Sequence, residues 1–265
     1  GHSVRTVSQS IELANNDLET ATSFLTLRHL AGDKKLTNEL EERSGRNWRK
    51  NKRKWLPVIV DAAREREESN GEVAYLLEPD LKASSGGLRD INAVQWIESS
   101  GVALLDQERR DLKAANNVLL AARVELHRST SRKGDVLLLE EQDAVAEALG
   151  IGDADIMMSQ IAASARTITW IADDVFHRVT FGLRRFKLRA GNPRKAGQNV
   201  LITDGTVSIA PGAPIETDQA LMLRLAVAAA QNEARLDRDS LDLLVEHGPE
   251  IQTPWGDEIR ELFVE

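Results

Sequence analysis

A short polar stretch between an extended apolar run and a helical pattern carries the residue types that bind anions. It reads Lys82-Ala83-Ser84-Ser85-Gly86-Gly87-Leu88-Arg89-Asp90. Glycines let the backbone approach a ligand closely, the first turn of a helix offers N–H donors, and Lys82 and Arg89 add positive charge. Two serines followed by two glycines are also typical of a plain connector. The residue types alone therefore leave a phosphate-binding turn and a connector as open interpretations.

A basic cluster with two interleaved tryptophans is the second group that could do chemistry. Its seven cations fall within twelve residues that contain no acid: Arg43, Arg46, Arg49, Lys50, Lys52, Arg53 and Lys54. Nucleic acid would favour such a patch, and Trp48 and Trp55 could stack on bases. However, the formal net charge is -8 and acids follow at once, which argues against a nucleic-acid-binding protein. A solvated helix face, or contact with a triphosphate or an acidic partner surface, remains open.

Other metal-like or catalytic patterns have plainer explanations. Asp153-Ala154-Asp155 has the spacing of a magnesium-binding pair, but a helical pattern follows it, so we predict helix capping instead. The five histidines form no helical metal pair, and we expect His127 and His177 to be surface or packing residues. The absence of cysteine excludes disulfides and thiolate metal sites. We predict no metal ligand in this chain, and these patterns leave its catalytic residues unidentified.

The residues around the glycines resemble the signature of a known enzyme family. Glu78-Pro79-Asp80-Leu81-Lys82, followed by Gly86-Gly87-Leu88-Arg89-Asp90-Ile91, is similar to a motif of the bifunctional uridylyltransferase/uridylyl-removing enzymes that modify the PII signalling protein. The related glutamine synthetase adenylyltransferases carry a looser version. Two further segments, 1–6 and 28–32, resemble the same family. The likeness is strong through about residue 100 and becomes a general helical pattern beyond it.

The resemblance implies an enzyme of nitrogen regulation. It would transfer UMP, or AMP in some relatives, from a nucleoside triphosphate to a tyrosine of PII, with magnesium held by an Asp-x-Asp pair after a Gly-Ser turn. That arrangement and the His-Asp motif that removes the nucleotide do not occur in these 265 residues. We therefore expect the chain alone to be inactive and to hold neither magnesium nor UTP or ATP tightly. PII and the nucleoside triphosphate are the expected partners.

The resemblance also selects the nucleotide-binding candidates, which are Lys82, Ser84, Ser85, Gly86, Gly87, Arg89 and Asp90. In this hypothesis Lys82 and Arg89 steady phosphate charge, and the two glycines permit backbone approach. Asp90 either orients Arg89 or caps the helix. Without the resemblance, the residues favour a non-catalytic helical module that binds other proteins, and this alternative stays open.

Long amphipathic helices must provide the scaffold for these residues. Apolar spacings of three and four predict helices over about 6–30, 104–128 and 153–178. A β-like stretch from Val179 to Ile209 breaks the pattern, with a loop over 191–197 and a hairpin turn at Asp204-Gly205. The predicted fold is mainly α, a helical bundle following a nucleotidyltransferase core, with one small antiparallel β-hairpin.

We predict two domains from these elements. Residues 1–178 form the helical part associated with the nucleotidyltransferase domain. Residues 179–265 form the hairpin and the helices that lead toward the absent His-Asp domain. The chain is 42% hydrophobic, and its best apolar run is interrupted by Arg224. We therefore expect a substantial core, no membrane span and a cytoplasmic location.

Overall fold

The computed structural model describes residues 3–185, 192–203 and 205–264. The protein is mainly α-helical, as predicted. The chain divides into two compact units, Gly1–Arg184 and Arg185–Glu265. The helices of the first unit are α1 (Val7–Ala14), α2 (Leu18–Ser23), α3 (Lys34–Lys50), α4 (Lys52–Asn70), α5 (Leu88–Ser99), α6 (Asp106–Thr130), α7 (Leu139–Ala148) and α8 (Ala154–Arg185). Helix α8 ends one residue beyond the unit. Short 3-10 turns lie at Phe24–Thr26 and Val73–Tyr75.

Two apolar clusters form the core of the first unit. Helix α6 contributes to both through residues spaced three or four apart, all of them buried: Leu112, Ala115, Leu119, Ala122 and Leu126. Helix α8, which has 32 residues, does the same through buried residues between Met157 and Val179. Because the buried positions recur at the helical period, the sequence alone predicted both helices within two residues at their N-terminal ends.

The predicted single helix over 6–30 is wrong, because it is divided into α1, α2 and a 3-10 turn. Asn15 ends α1, and Asp17 takes an extended conformation in which its carboxylate accepts a hydrogen bond from Thr20 N at 2.7 Å. Asp17 is therefore the N-cap of a new helix. A capping side chain can end one helix and begin another while the apolar residues on both sides keep their spacing of three or four.

The prediction of β-like structure for residues 179–185 is also wrong, because α8 continues to Arg185. Val179 is buried in the same cluster as Val175 and Ile171, at steps of four residues, so the helical face extends past the predicted boundary between 178 and 179. At the other end, Asp153 Oδ1 accepts hydrogen bonds from the amides of Asp155 and Ile156 at 2.7 and 3.1 Å. The predicted capping role is confirmed.

The second unit is a small sheet packed against helices. Its strands are β1 (Arg194–Gly197), β2 (Val200–Thr203), β3 (Thr206–Ile209) and β4 (Arg235–Leu236), and its helices are α9 (Leu221–Gln231), α10 (Arg238–His247) and α11 (Asp257–Val264). The strand order is β1-β2-β3-β4, with antiparallel pairs except for parallel β3 and β4. Buried residues of β2, β3 and α9 make the core.

The predicted hairpin is present as the β2–β3 pair, in which Thr203 faces Thr206. Gly205 has a φ of +81° in the connecting turn, whereas Asp204 and Gly191 lie outside the described residues. The predicted loop over 191–197 is wrong where Arg194–Gly197 forms the edge strand β1. This segment has little intrinsic strand preference and is ordered by pairing with β2, which local sequence does not reveal. Among the described helices, none is long and apolar enough to cross a membrane.

Candidate functional site

The turn that leads into α5 is closed by its own backbone and by a neighbouring segment. Asp80 Oδ1 accepts hydrogen bonds from the amides of Lys82 and Ala83 at 2.9 and 2.7 Å. Leu81 N donates to the carbonyl of Asp135, and Leu137 N donates to the carbonyl of Pro79, each at 2.9 Å. The segment before the glycines is therefore paired with the segment that follows α6.

The N–H donors at the start of α5 are used inside the protein. The amides of Leu88, Arg89 and Asp90 donate to the carbonyls of Leu81, Lys82 and Gly87 at 3.0, 3.0 and 3.1 Å. Gly86 N donates to Asp90 Oδ2 at 2.8 Å. A phosphate bound by a helix N-terminus needs such donors to be available. Any anion at this turn must therefore be held mainly by side chains.

Both glycines face protein atoms at close range. Gly86 has a φ of +75°, and a Cβ added to it would lie 2.7 Å from the carbonyl oxygen of Ala165 in α8 and 2.7 Å from Thr169 Oγ1. A Cβ on Gly87 would lie 2.7 Å from the carbonyl oxygen of Ser84. Real Cβ atoms do not approach so closely, so the packing of the turn against α8 requires glycine at 86.

Asp90 is buried beneath the turn and is paired with Arg66 of α4. Its Oδ1 accepts from Arg66 Nη2 at 2.7 Å, while Oδ2 accepts from Gly86 N. Both carboxylate oxygens are engaged away from Arg89, and Gly86 precedes the N-cap residue Gly87, which has no side-chain cap. Asp90 therefore fixes the glycine turn, and it neither orients Arg89 nor caps the helix. Burial raises the pKa of Asp90, and the contacts with Arg66 and Gly86 only partly offset this. Ser84 is buried too, and its hydroxyl donates to the carbonyl of Asn70 at 3.0 Å.

Arg89 and Lys82 are the charged side chains that this turn presents to solvent. Arg89 is exposed, and within residues 3–185, 192–203 and 205–264 its guanidinium has no hydrogen bond or ion pair. Lys82 Nζ lies 3.3 Å from Asp135 Oδ2, and its side chain is 40% exposed. Ser85 is half-buried between them and its amide donates to the carbonyl of Gly71. The turn is thus a rigid support with one uncommitted guanidinium.

A carboxylate that the sequence reasoning missed joins this turn to α6. Asp135 Oδ1 accepts from Arg123 Nε at 2.6 Å and lies 3.0 Å from His127 Nε2. His127 is therefore a polar partner of Asp135 rather than a mere surface or packing residue. Burial raises the pKa of Asp135, but hydrogen bonds from Arg123, His127 and Lys82 together outweigh it and lower the pKa. The four-residue spacing of Arg123 and His127 on α6 was the only signal in the sequence.

The tryptophans of the basic cluster belong to the core. Trp48 and Trp55 are 2% and 6% exposed, and Trp48 Nε1 donates to the carbonyl of Trp96 at 2.8 Å. Neither ring can stack on a nucleic acid base. In the part of the chain that the structure describes, no group of three His, Asp or Glu side chains could hold a metal ion. These residues therefore do not fit the magnesium that the family resemblance implies.

Together, fold and site define a mainly helical protein whose glycine turn is fixed by a buried ion pair. The turn presents Arg89, which has no ion pair among the residues that the structure describes. The family model described as GlnD PII-uridylyltransferase matches residues 58–176, which include the turn, α5 and most of α8. The chain belongs to the family of bifunctional uridylyltransferase/uridylyl-removing enzymes.

Three bacterial relatives, each described as a bifunctional uridylyltransferase/uridylyl-removing enzyme, support this membership. The protein from Streptomyces coelicolor is 40% identical over 99% of this chain and 33% of its own length. A Mycobacterium tuberculosis protein is 33% identical over 97% of the chain and 33% of its own length. The Corynebacterium glutamicum protein is 31% identical over 96% and 36%. The chain thus spans about a third of these relatives' length. No solved structure matches it.

Proposed function

We propose that this chain is the helical part of an enzyme that transfers UMP or AMP from a nucleoside triphosphate to a tyrosine of the PII protein. The relatives and the matching family model support an enzyme that acts on PII. The observation that carries the proposal is the exposed guanidinium of Arg89, which has no partner in the described part of the chain and lies on a turn whose backbone is held by hydrogen bonds.

In this proposal Arg89 binds the phosphate chain of the nucleotide. Its planar guanidinium can donate two parallel hydrogen bonds to phosphate oxygens, which a lysine ammonium cannot reproduce. Charge that develops on the departing pyrophosphate is stabilised by donors already in place. Lys82 adds a second positive charge, partly neutralised by Asp135. Ser85 lines the same turn, while Ser84, Gly86, Gly87 and Asp90 hold its shape.

The metal-dependent part of the reaction is assigned to segments outside these 265 residues. When bound, magnesium would shield the triphosphate and stabilise the leaving group. We therefore propose that the chain alone neither transfers nor removes a nucleotide. Turnover measured with purified chain, PII, magnesium and either UTP or ATP tests this, and release of pyrophosphate above the rate without protein would contradict it.

Replacing Arg89 by lysine in the full-length enzyme tests the role of the guanidinium. We expect transfer to PII to fall about a hundredfold, because losing a charge-assisted contact in a preorganised site costs about 3 kcal/mol of transition-state stabilisation. The melting temperature should not change, since Arg89 has no partner among the described residues. Arg166→Lys is the matched control, because Arg166 is exposed on α8. Near-normal transfer by folded Arg89→Lys enzyme would reject the proposal.

One observation favours the alternative of a non-catalytic module that binds PII. The amides at the start of α5 are already paired, so the turn offers a nucleotide fewer donors than its sequence suggested. Titration of PII into the chain, with and without UTP or ATP, separates the two functions. Enhancement of PII binding by nucleotide supports the transferase part, whereas identical binding curves support the module.

A further inference from the structure

The junction between α3 and α4 forms a cationic corner, which consists of Arg49, Lys50, Lys52, Arg53 and Lys54 on either side of Asn51. All five side chains belong to exposed residues. The other two cations of the basic cluster are occupied, because Arg43 pairs with Glu39 at 3.0 Å and Arg46 pairs with Glu42 at 2.8 Å. The corner therefore begins where these two ion pairs of α3 end.

The backbone beneath the corner is held rigidly. Asn51 Nδ2 lies within 3.1 Å of Asn15 Oδ1 and within 3.0 Å of Asn47 Oδ1. Trp48 and Trp55, on the two sides of the junction, are buried in one cluster. The Lys54 ammonium lies 4.2 Å from the centre of the Trp55 ring and donates to the carbonyl of Asn15. The backbone of the corner is thus preorganised, so the conformational entropy lost when a partner binds comes from the side chains and not from the backbone.

Three charges of the corner are uncommitted. In the part of the chain that the structure describes, Arg49, Lys50 and Lys52 have neither a hydrogen bond from the side chain nor an ion pair. The first turn of α4 contains three cations and no acid, although the positive end of a helix dipole disfavours cations. Arg49 and Lys50 lie in the last turn of α3, where the dipole favours cations, so the feature that helix stability does not explain is the placement of further cations directly after them, at the start of α4.

The contrast between the corner's positive charge and the negative net charge of the chain indicates that a partner of the corner is acidic. The chain has a formal net charge of -8, although these residues are positive, so the remaining surface repels an acidic protein and the corner attracts it. Such a contrast orients an approaching partner. From these observations we infer that the cationic corner docks an acidic segment of the PII substrate. This inference rests on the proposed function.

A protein segment fits the corner better than nucleic acid does. The two aromatic residues within 43–55, Trp48 and Trp55, are buried, so no ring is available there to stack on a base. Acidic residues flank the corner on both helices, with Glu41 and Glu42 on one side and Asp61 and Glu65 on the other. A long phosphate backbone would meet these acids, whereas a compact acidic segment stays within the corner.

Binding of purified PII to the 265-residue chain, measured by calorimetry, tests the inference. One variant reverses the three free charges, Arg49→Glu, Lys50→Glu and Lys52→Glu, and a second replaces the same residues by glutamine. The matched control, Lys113→Glu, Arg132→Glu and Arg166→Glu, makes the same charge change at exposed positions elsewhere. Circular dichroism melts establish that every variant folds. Titrations are repeated from about 0.1 M to about 1 M salt, where the screening length falls from about 10 to about 3 Å.

We expect the dissociation constant to rise at least about tenfold with charge reversal, less with glutamine, and less than about twofold in the control. The salt dependence should weaken in the reversed variant. Equal effects of the reversal and the control would overturn the docking surface while leaving the proposed function intact. No binding of PII by the unaltered chain would also overturn the docking surface. Tighter binding of an oligothymidylate of about 20 nucleotides than of PII would also overturn the inference.

Discussion

Replacing Gly86 by alanine should destabilise the chain by about 3 kcal/mol in the absence of any ligand. A φ of +75° is unfavourable for alanine by about 1–2 kcal/mol. The new methyl group would also lie 2.7 Å from the carbonyl oxygen of Ala165 and from Thr169 Oγ1. The backbone of a packed helix such as α8 moves only at a cost, and overpacking of this kind adds about 1–3 kcal/mol. The two costs arise from separate causes and should add.

Urea unfolding, followed by circular dichroism, measures this loss, and two other glycines separate its components. Gly101 has a φ of +99° with no atom within 4 Å of an added Cβ, so Gly101→Ala reports the backbone cost alone. Gly87 has a φ of -88°, but its added Cβ would meet Ser84 O at 2.7 Å, so Gly87→Ala reports mainly crowding. We expect Gly86→Ala to unfold at the lowest urea concentration of the three.

The result that would refute this reasoning is equal stability of Gly86→Ala and Gly101→Ala. The contact with α8 would then contribute nothing, and the packing explanation for the glycine would be wrong. If Gly86→Ala also abolished transfer by the full-length enzyme without changing the unfolding free energy, the glycine would serve the approach of a ligand. Because the urea experiment contains no nucleotide, a role in nucleotide binding cannot produce the predicted loss.

Two further substitutions test the ion pairs. Asp135→Asn should cost about 1.5–3 kcal/mol near neutral pH, because the carboxylate accepts charge-assisted hydrogen bonds. The folded state lowers the pKa of Asp135. The stability difference between the unaltered chain and Asp135→Asn should therefore persist above the unfolded pKa of about 3.9 and shrink as pH falls through the folded pKa. A constant difference in unfolding free energy down to about pH 2 would contradict this. In the second unit, Arg224→Gln should weaken α9 by about 3 kcal/mol, since it leaves two carboxylates without their shared cation. Amide hydrogen exchange measures the loss, and unchanged protection of α9 would refute it.

Local pattern was sufficient for the elements that bury a regular face. The apolar residues of α6 recur every three or four positions, and the observed helix begins and ends within two residues of the prediction. Asp153 capped α8 as its position before an apolar run indicated. The β-prone runs around Gly205 paired as a hairpin. In each case the determining contacts lie within a few residues along the chain, so the sequence contains the whole signal.

Local pattern also indicates the glycine turn and its resemblance to the family, but it does not indicate which residues the turn contacts. Asp90 is paired with Arg66 in α4, and Lys82 lies beside Asp135 after α6. Gly86 is required by the backbone of α8. None of these partners is near in sequence, and acids and cations occur throughout the chain, so no local pattern distinguishes the right pairs from the many alternatives.

The sequence by itself therefore determined the helices, the hairpin and the segment that carries the candidate site. Only the tertiary structure decided that most residues of the turn hold its shape, while Arg89 has no partner among the described residues. It also decided that Trp48 and Trp55 are buried beneath the cationic corner. The physical reason is that periodicity and capping act over one or two helical turns. Burial and ion pairing depend instead on which helices meet, and that is settled by packing of the whole core.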